Sequence, residues 1–157
     1  MNRGFYIIMA AQFFSALADN ALLIAAISML RDIQSPAQYE PLLKLFFTVS
    51  YVALAAFVGA FADSMAKGRV MLISNTIKIA GCFMMLVATV PVLDLLGIPI
   101  YYYVLLSYAI VGLGAAAYSP AKYGILTEYL PHDKLVIANG WIEGLTVAAI
   151  ILGTVLG

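Results

Sequence analysis

The run FYIIMAAQFFSALADNALLIAAISML, residues 5–30, decides the fold. At a helical rise of about 1.5 Å per residue it is long enough to cross a bilayer core of about 30 Å. Asp19 lies roughly 21 Å along that helix from Phe5, near the middle of the core. An ionised carboxylate at that depth costs roughly 2.5–3.5 kcal/mol on insertion. Such a group faces a bundle interior or a water-filled path rather than lipid. Asp19-Asn20 is therefore the first candidate for substrate or ion coupling. The plainer alternative is a polar anchor hydrogen-bonded to a neighbouring helix. The start Met1-Asn2-Arg3 has the charge of a signal peptide. An apolar signal core is only about 7–15 residues, however, so this longer run is read as a retained first span.

Composition agrees. Of 157 residues, 64% are hydrophobic and only 10% charged, where a soluble domain carries about a quarter charged residues. Mean hydropathy is +1.02. The chain reads as an all-α integral membrane protein. The formal net charge is zero, so no basic field points to nucleic acid. One cysteine, Cys82, sits in an apolar run and excludes an intrachain disulfide.

Five spans are expected, at about 5–30, 42–62, 70–90, 100–119 and 135–157. Span 1 ends at Arg31-Asp32, and Ser35-Pro36 through Glu40-Pro41 reads as a loop. Lys44, near the start of span 2, can snorkel to the headgroups. A polar turn, Asp63 to Arg69, joins spans 2 and 3. Pro91 to Pro99, with Asp94 and Gly97, is a short turn. Pro120 is expected to bend or end span 4, the segment Thr127 to Lys134 to be amphipathic and polar, and Asp133 to cap span 5. Span 5 runs to Gly157 without a polar stop, which suggests a fragment that continues beyond.

Cationic residues set the orientation. With the N-terminus inside, the inner side holds Arg3, Lys67, Arg69, Lys122 and Lys134, and the outer side Arg31 and Lys44. Tyr101, Tyr102 and Tyr103 then form an outer aromatic belt, and Trp141 can anchor near the inner face. Small residues at Ala55 and Gly59, Gly112 and Gly114 to Ala117, Gly140 and Gly144, and Gly153 and Gly157 allow close helix approach.

After Asp19 the second constellation is Ala117-Tyr118-Ser119-Pro120-Ala121-Lys122-Tyr123-Gly124. A proline frees a backbone carbonyl, and a following lysine can meet a phosphate or carboxylate as a point charge. Lys122 is either a topology charge or a wall of the path opposite Asp19. An acid and a base on two helices suit a zwitterionic ligand. Asn75 and Lys78 share a face of span 3, and Lys78 can snorkel or pair with an acid. Glu143 lies early in span 5. His132 reads as a solvated loop residue. No metal set, nucleophile triad or phosphate-cradling loop stands in the sequence, so no cofactor, metal or catalytic residue is expected.

Gly59-Ala60-Phe61-Ala62-Asp63 followed by Lys67-Gly68-Arg69 resembles the loop motif of the major facilitator superfamily. Ser64 stands where that motif usually has a basic residue. The arginine-bearing span-4 motif of drug–proton antiporters is absent, with Tyr108 and Ala109 before Gly112. More specific are Ala11-Gln12-Phe13-Phe14-Ser15-Ala16 with Asp19-Asn20-Ala21-Leu22-Leu23, Ala62-Asp63-Ser64 with Lys67-Gly68-Arg69-Val70-Met71, Gly114 to Leu126 around Ser119-Pro120-Ala121-Lys122, and Ala138-Asn139-Gly140 with Glu143. Together they resemble the bacterial lysophospholipid transporters of that superfamily, from Ala11 to Gly157.

The resemblance implies a major-facilitator-type helical bundle, here five of twelve spans with an incomplete 3+3 inverted repeat and residues 1–157 as one portion of the transporter domain. Spans 1 and 4 would open the two three-span repeats and surround one central site. It implies inward movement of lysophospholipids, chiefly lysophosphatidylethanolamine, across the bacterial inner membrane, and a link to an acyltransferase–acyl-carrier-protein synthetase that re-acylates them. Asp19, Asn20, Lys122, Tyr123 and Glu143 would line the headgroup path among membrane lipids. Gly59, Asp63, Lys67 and Arg69 would gate the inner side. The alternatives are the membrane module of a fused acyltransferase and a proton-coupled small-molecule exporter.

Overall fold

The computed structural model describes residues 3–91 and 95–157. Among them five long helices follow one another: α1 (Arg3–Asp32), α2 (Tyr39–Asp63), α3 (Lys67–Val87), α4 (Ile100–Tyr129) and α5 (His132–Leu156). All five are long and apolar enough to cross a membrane. Their outer faces carry large apolar side chains such as Ile7, Phe57, Leu72, Phe83 and Val155. That is the pattern of a surface solvated by lipid rather than water. Asp94 lies outside the described residues.

The helices end where local chemistry stops them. α1 closes with Gln34 in the left-handed region at φ 51°. The Ser35 N–H donates back to the Leu30 carbonyl at 3.0 Å and the Gln34 N–H to Arg31 at 2.9 Å, which satisfies carbonyls the last turn leaves open. The Arg31 guanidinium then grips Glu40 in a two-pronged pair at 2.8 and 3.0 Å, tying the end of α1 to the start of α2.

Two expectations at the other end are corrected. α4 does not stop at Pro120; it runs unbroken to Tyr129 with Pro120 inside it. The ring forfeits the backbone bond to the Ala116 carbonyl. Burial of Ala116, Ala117 and Ala121 against neighbouring helices holds the segment helical. Consequently Lys122 is an intrahelical residue, within Ile100–Tyr129. Asp133 does not cap α5. Pro131 occupies that position, His132 begins the helix, and Asp133 falls in its first turn, where a negative charge meets the positive end of the helix dipole.

α4 packs chiefly against α2 and α3, and α5 chiefly against α1. The tight crossings sit at glycines. At Gly114 an added Cβ would lie 2.7 Å from the Ser74 carbonyl oxygen and 2.8 Å from Cγ of Lys78. At Gly153 it would lie 2.6 Å from the Leu17 carbonyl oxygen and 2.9 Å from Cβ of Asn20. Gly112 meets Phe47 and Gly157 meets Ala21 in the same way. Gly59, Gly140 and Gly144, expected at crossings too, have nothing among the described residues within 4 Å of an added Cβ.

The pairing of α1 with α5 and of α4 with α2 and α3 leaves two apolar seals. One, at the end carrying Arg3, includes Phe5, Met9, Val70, Ile125 and Ile142. The other, at the opposite end, includes Leu30, Leu43, Val104 and Tyr108, with Tyr101 packed against it. There Tyr101 packs on Tyr39 with ring centroids 4.4 Å apart and planes tilted by 40°, while Tyr102 is exposed. Between the seals lies a polar cavity.

Candidate functional site: a polar cavity inside the bundle

The cavity measures about 420 Å³ and takes walls from α1, α2, α3, α4 and α5. On α1, Gln12, Ser15 and Asp19 face it. Their spacing of three and then four residues places them on one helical stripe. On α4, Tyr118, Ser119 and Lys122 do the same. Asp19, Asn20 and Lys122, named from the sequence, thus meet around one space.

Asp19 and Lys122 do not pair with each other. Lys78 of α3 reaches across and donates to Asp19 Oδ2 at 2.6 Å and to Ser15 Oγ at 2.9 Å. Its Nζ also lies 4.9 Å from the centroid of the Tyr118 ring, within range of a cation–π attraction. The side chains of Lys78 and Asp19 are only 9% and 22% exposed. The aliphatic stem of Lys78 passes over Gly114, the one residue type that leaves it room. Ser15 Oγ lies 3.3 Å from Asn75 Oδ1, so a second polar contact links α1 and α3.

Lys122 Nζ donates to Thr146 Oγ1 of α5 at 3.0 Å and lies 5.2 Å from the Tyr123 ring. Both Lys122 and Thr146 line the cavity. Among the described residues, neither Lys122 nor Lys44 forms an ion pair within 4.0 Å, though both line the same space. Among the described residues, Gln12 Oε1 and the Tyr118 hydroxyl are buried with no hydrogen-bond partner. The cavity therefore offers cations, one carboxylate, hydroxyls and amides beside apolar walls such as Leu23, Phe47 and Ile150. That set can hold a small charged or zwitterionic group with an apolar extension.

The other sequence candidates lie apart from it. Tyr123 donates its hydroxyl to Glu143 at 2.6 Å on an exposed face; Tyr123 lines a smaller side cleft of about 220 Å³ together with Gly59 and Pro120. Asp63 pairs with Lys67 at 2.6 Å, and Lys67 also donates to the Ala62 carbonyl at 3.0 Å. An added Cβ at Gly124 would meet Cε of Lys67 at 3.0 Å, so the lysine stem lies against α4. Arg69 is exposed.

The structure adds Lys44, Gln12, Ser15, Tyr118 and Thr146 to the lining of the site and gives Lys78 its partner. The signal for the α1 stripe was present in the spacing of Gln12, Ser15 and Asp19. The partner of Lys78 was not, because it lies on another helix.

Five membrane-length helices around a polar cavity define the class, a multi-pass membrane protein. Residues 8–157 match the Major Facilitator Superfamily, and the chain belongs to that family. It is 45% identical over its whole length to the lysophospholipid transporter LplT of Yersinia enterocolitica serotype O:8 / biotype 1B. It is 43% identical, again over its whole length, to the proteins of that name from Yersinia pestis strain Pestoides F and Yersinia pseudotuberculosis serotype O:3 strain YPIII. The chain spans 36% of the length of these relatives. No solved structure matches it.

Proposed function

We propose that this chain supplies part of the substrate path of a transporter that moves lysophospholipids, chiefly lysophosphatidylethanolamine, inward across the bacterial inner membrane. The observation that carries this reading is the convergence of Asp19, Asn20 and Lys122 on one cavity between two apolar seals. A phosphoethanolamine headgroup bears an ammonium and a phosphate, the chemical complements of a carboxylate and a lysine. The names of the relatives support the same substrate.

Alternating access fits a cavity with an apolar cluster towards each end, the clusters opening in turn as this bundle rocks against the rest of the transporter. Arg3, Lys67, Arg69 and Lys134 gather at one end of the bundle, which supports a cytoplasmic N-terminus. At that end Asp63, Lys67 and Arg69, with Gly59 nearby on α2, form the gate. Tyr123 at the side cleft, bonded to Glu143 on the exposed face, acts as an accessory contact to the path. The re-acylating partner inside would be an acyltransferase–acyl-carrier-protein synthetase.

The test is uptake of labelled lysophosphatidylethanolamine by cells lacking their own importer and carrying the complete gene, intact or as Asp19→Ala or Lys122→Ala. Uptake by the intact form, lost in both variants at normal membrane levels, is the expected result. No uptake by a well-expressed intact form overturns the reading. Uptake untouched by either change keeps the substrate and discards the site.

A further inference from the structure

The surroundings of the Lys78 ammonium form a cage. A carboxylate oxygen stands at 2.6 Å, a hydroxyl at 2.9 Å and an aromatic face at 4.9 Å from its centroid. These are the three kinds of group that bind an alkylammonium. The cage opens on the cavity, since Ser15, Asp19 and Tyr118 all line it. Lys78 is itself an alkylammonium, tethered to α3 and threaded past Gly114.

A buried ion pair that loses one partner is left with an uncompensated charge. A zwitterion entering between the two partners avoids that cost, because each old charge gains a new partner as it loses the first. Lys122 stands in the same cavity and forms no ion pair among the described residues. It can share the anionic half of the newcomer with Lys78.

We propose that Lys78 is a specificity-determining residue: its ammonium fills the cage of Ser15, Asp19 and Tyr118 in the empty cavity and yields that cage to the ammonium of a zwitterionic lipid headgroup. Lys78 then pairs with the headgroup phosphate, beside Lys122. This rests on the lysophospholipid reading for its substrate and goes beyond it in assigning the amine subsite and its built-in occupant.

The experiment compares uptake of lysophosphatidylethanolamine with uptake of lysophosphatidylglycerol, which has the phosphate and no amine. The complete protein is used intact, as Lys78→Met, and as Asp19→Asn/Lys78→Met. In Lys78→Met the cage stands vacant and anionic, so the ratio of amine to glycerol headgroup uptake rises about tenfold, the value of one charge-assisted hydrogen bond. In the double variant the cage holds no charge and the preference for the amine disappears. A ratio unchanged in Lys78→Met, with both uptakes lowered together, makes Lys78 a mere clasp between helices and overturns the proposal. If Lys78→Met does not reach the membrane, the double variant decides: keeping the intact protein's ratio overturns the proposal.

A second readout needs no transport. Dicyclohexylcarbodiimide couples to carboxyl groups in apolar surroundings, and its attachment to Asp19 can be followed by mass spectrometry in membranes holding the Lys78→Met protein. Lysophosphatidylethanolamine slows this labelling and lysophosphatidylglycerol does not. Equal slowing by both lipids, or by neither, overturns the proposal. If the intact protein takes up neither lipid while the labelling result holds, the transport reading fails and the amine cage stands.

Discussion

Removing the ammonium from the Asp19–Lys78 pair exposes how much of the bundle's cohesion it carries. The N–O distance is 2.6 Å. At an effective dielectric constant near 20 the attraction is about 6 kcal/mol. Loss of hydration on both charges offsets much of it, so the pair's net contribution is far smaller than that figure. The single change is a different matter. Lys78→Met leaves a carboxylate on the wall of the bundle interior with no cation, and costs about 3–5 kcal/mol. Asp19→Asn falls at the low end of that range, because Ser15 and the face of Tyr118 still hold the lysine. The double variant Asp19→Asn/Lys78→Met buries no charge and stays within about 1 kcal/mol of the intact protein. Reversible unfolding of the detergent-solubilised proteins, titrated with sodium dodecyl sulfate, measures all four corners of the cycle. With single losses of at least about 3 kcal/mol each and a double loss of no more than about 1, the expected coupling between the two sites is about 5 kcal/mol. A double variant destabilised by the sum of the two single losses refutes the reasoning, since two sites that add do not form a pair.

The remaining expectations concern packing, a turn and the gate. Gly153→Ala sets a methyl group 2.6 Å from the Leu17 carbonyl oxygen and destabilises the α1–α5 crossing by about 1–3 kcal/mol; the same detergent unfolding reads it. Gly140→Ala, with nothing within 4 Å, stays within about 0.5 kcal/mol by that assay, and a large loss would place another element against that face. Gln34→Gly relieves a left-handed backbone position at φ 51° and raises stability by up to about 1 kcal/mol; a loss would mean the Gln34 side chain holds the turn. Asp63→Asn removes an ion pair whose carboxylate side chain is 80% exposed, so unfolding midpoints barely move. Lipid uptake falls in the same variant if Asp63 serves the gate, and unchanged uptake removes it from that role.

The number and order of the membrane-length helices were legible in the sequence, because burial in lipid demands long uninterrupted apolar runs and each can be counted locally. Asp19 was legible for the same reason: a charge at that depth stands out against its own segment. Lys122 was legible as a residue, but its setting was not. Pro120 suggested a helix end, and whether a proline ends a helix depends on neighbours that the chain order does not reveal. Gly140 and Gly153 look alike in sequence, yet among the described residues only Gly153 meets another helix.

The sequence by itself determined that this is a helical membrane protein of five apolar spans with a carboxylate at mid-depth, since those properties follow from local composition and helical rise. Only the tertiary structure decided that Asp19 answers to Lys78 rather than to Lys122, that Gly114 gives way to the lysine stem, and that Tyr123 and Glu143 stand off at a side cleft and an exposed face. Those pairings join residues 59 and 20 positions apart on different helices, and which of several charges meet is fixed by how helices cross, a geometry that no local pattern encodes.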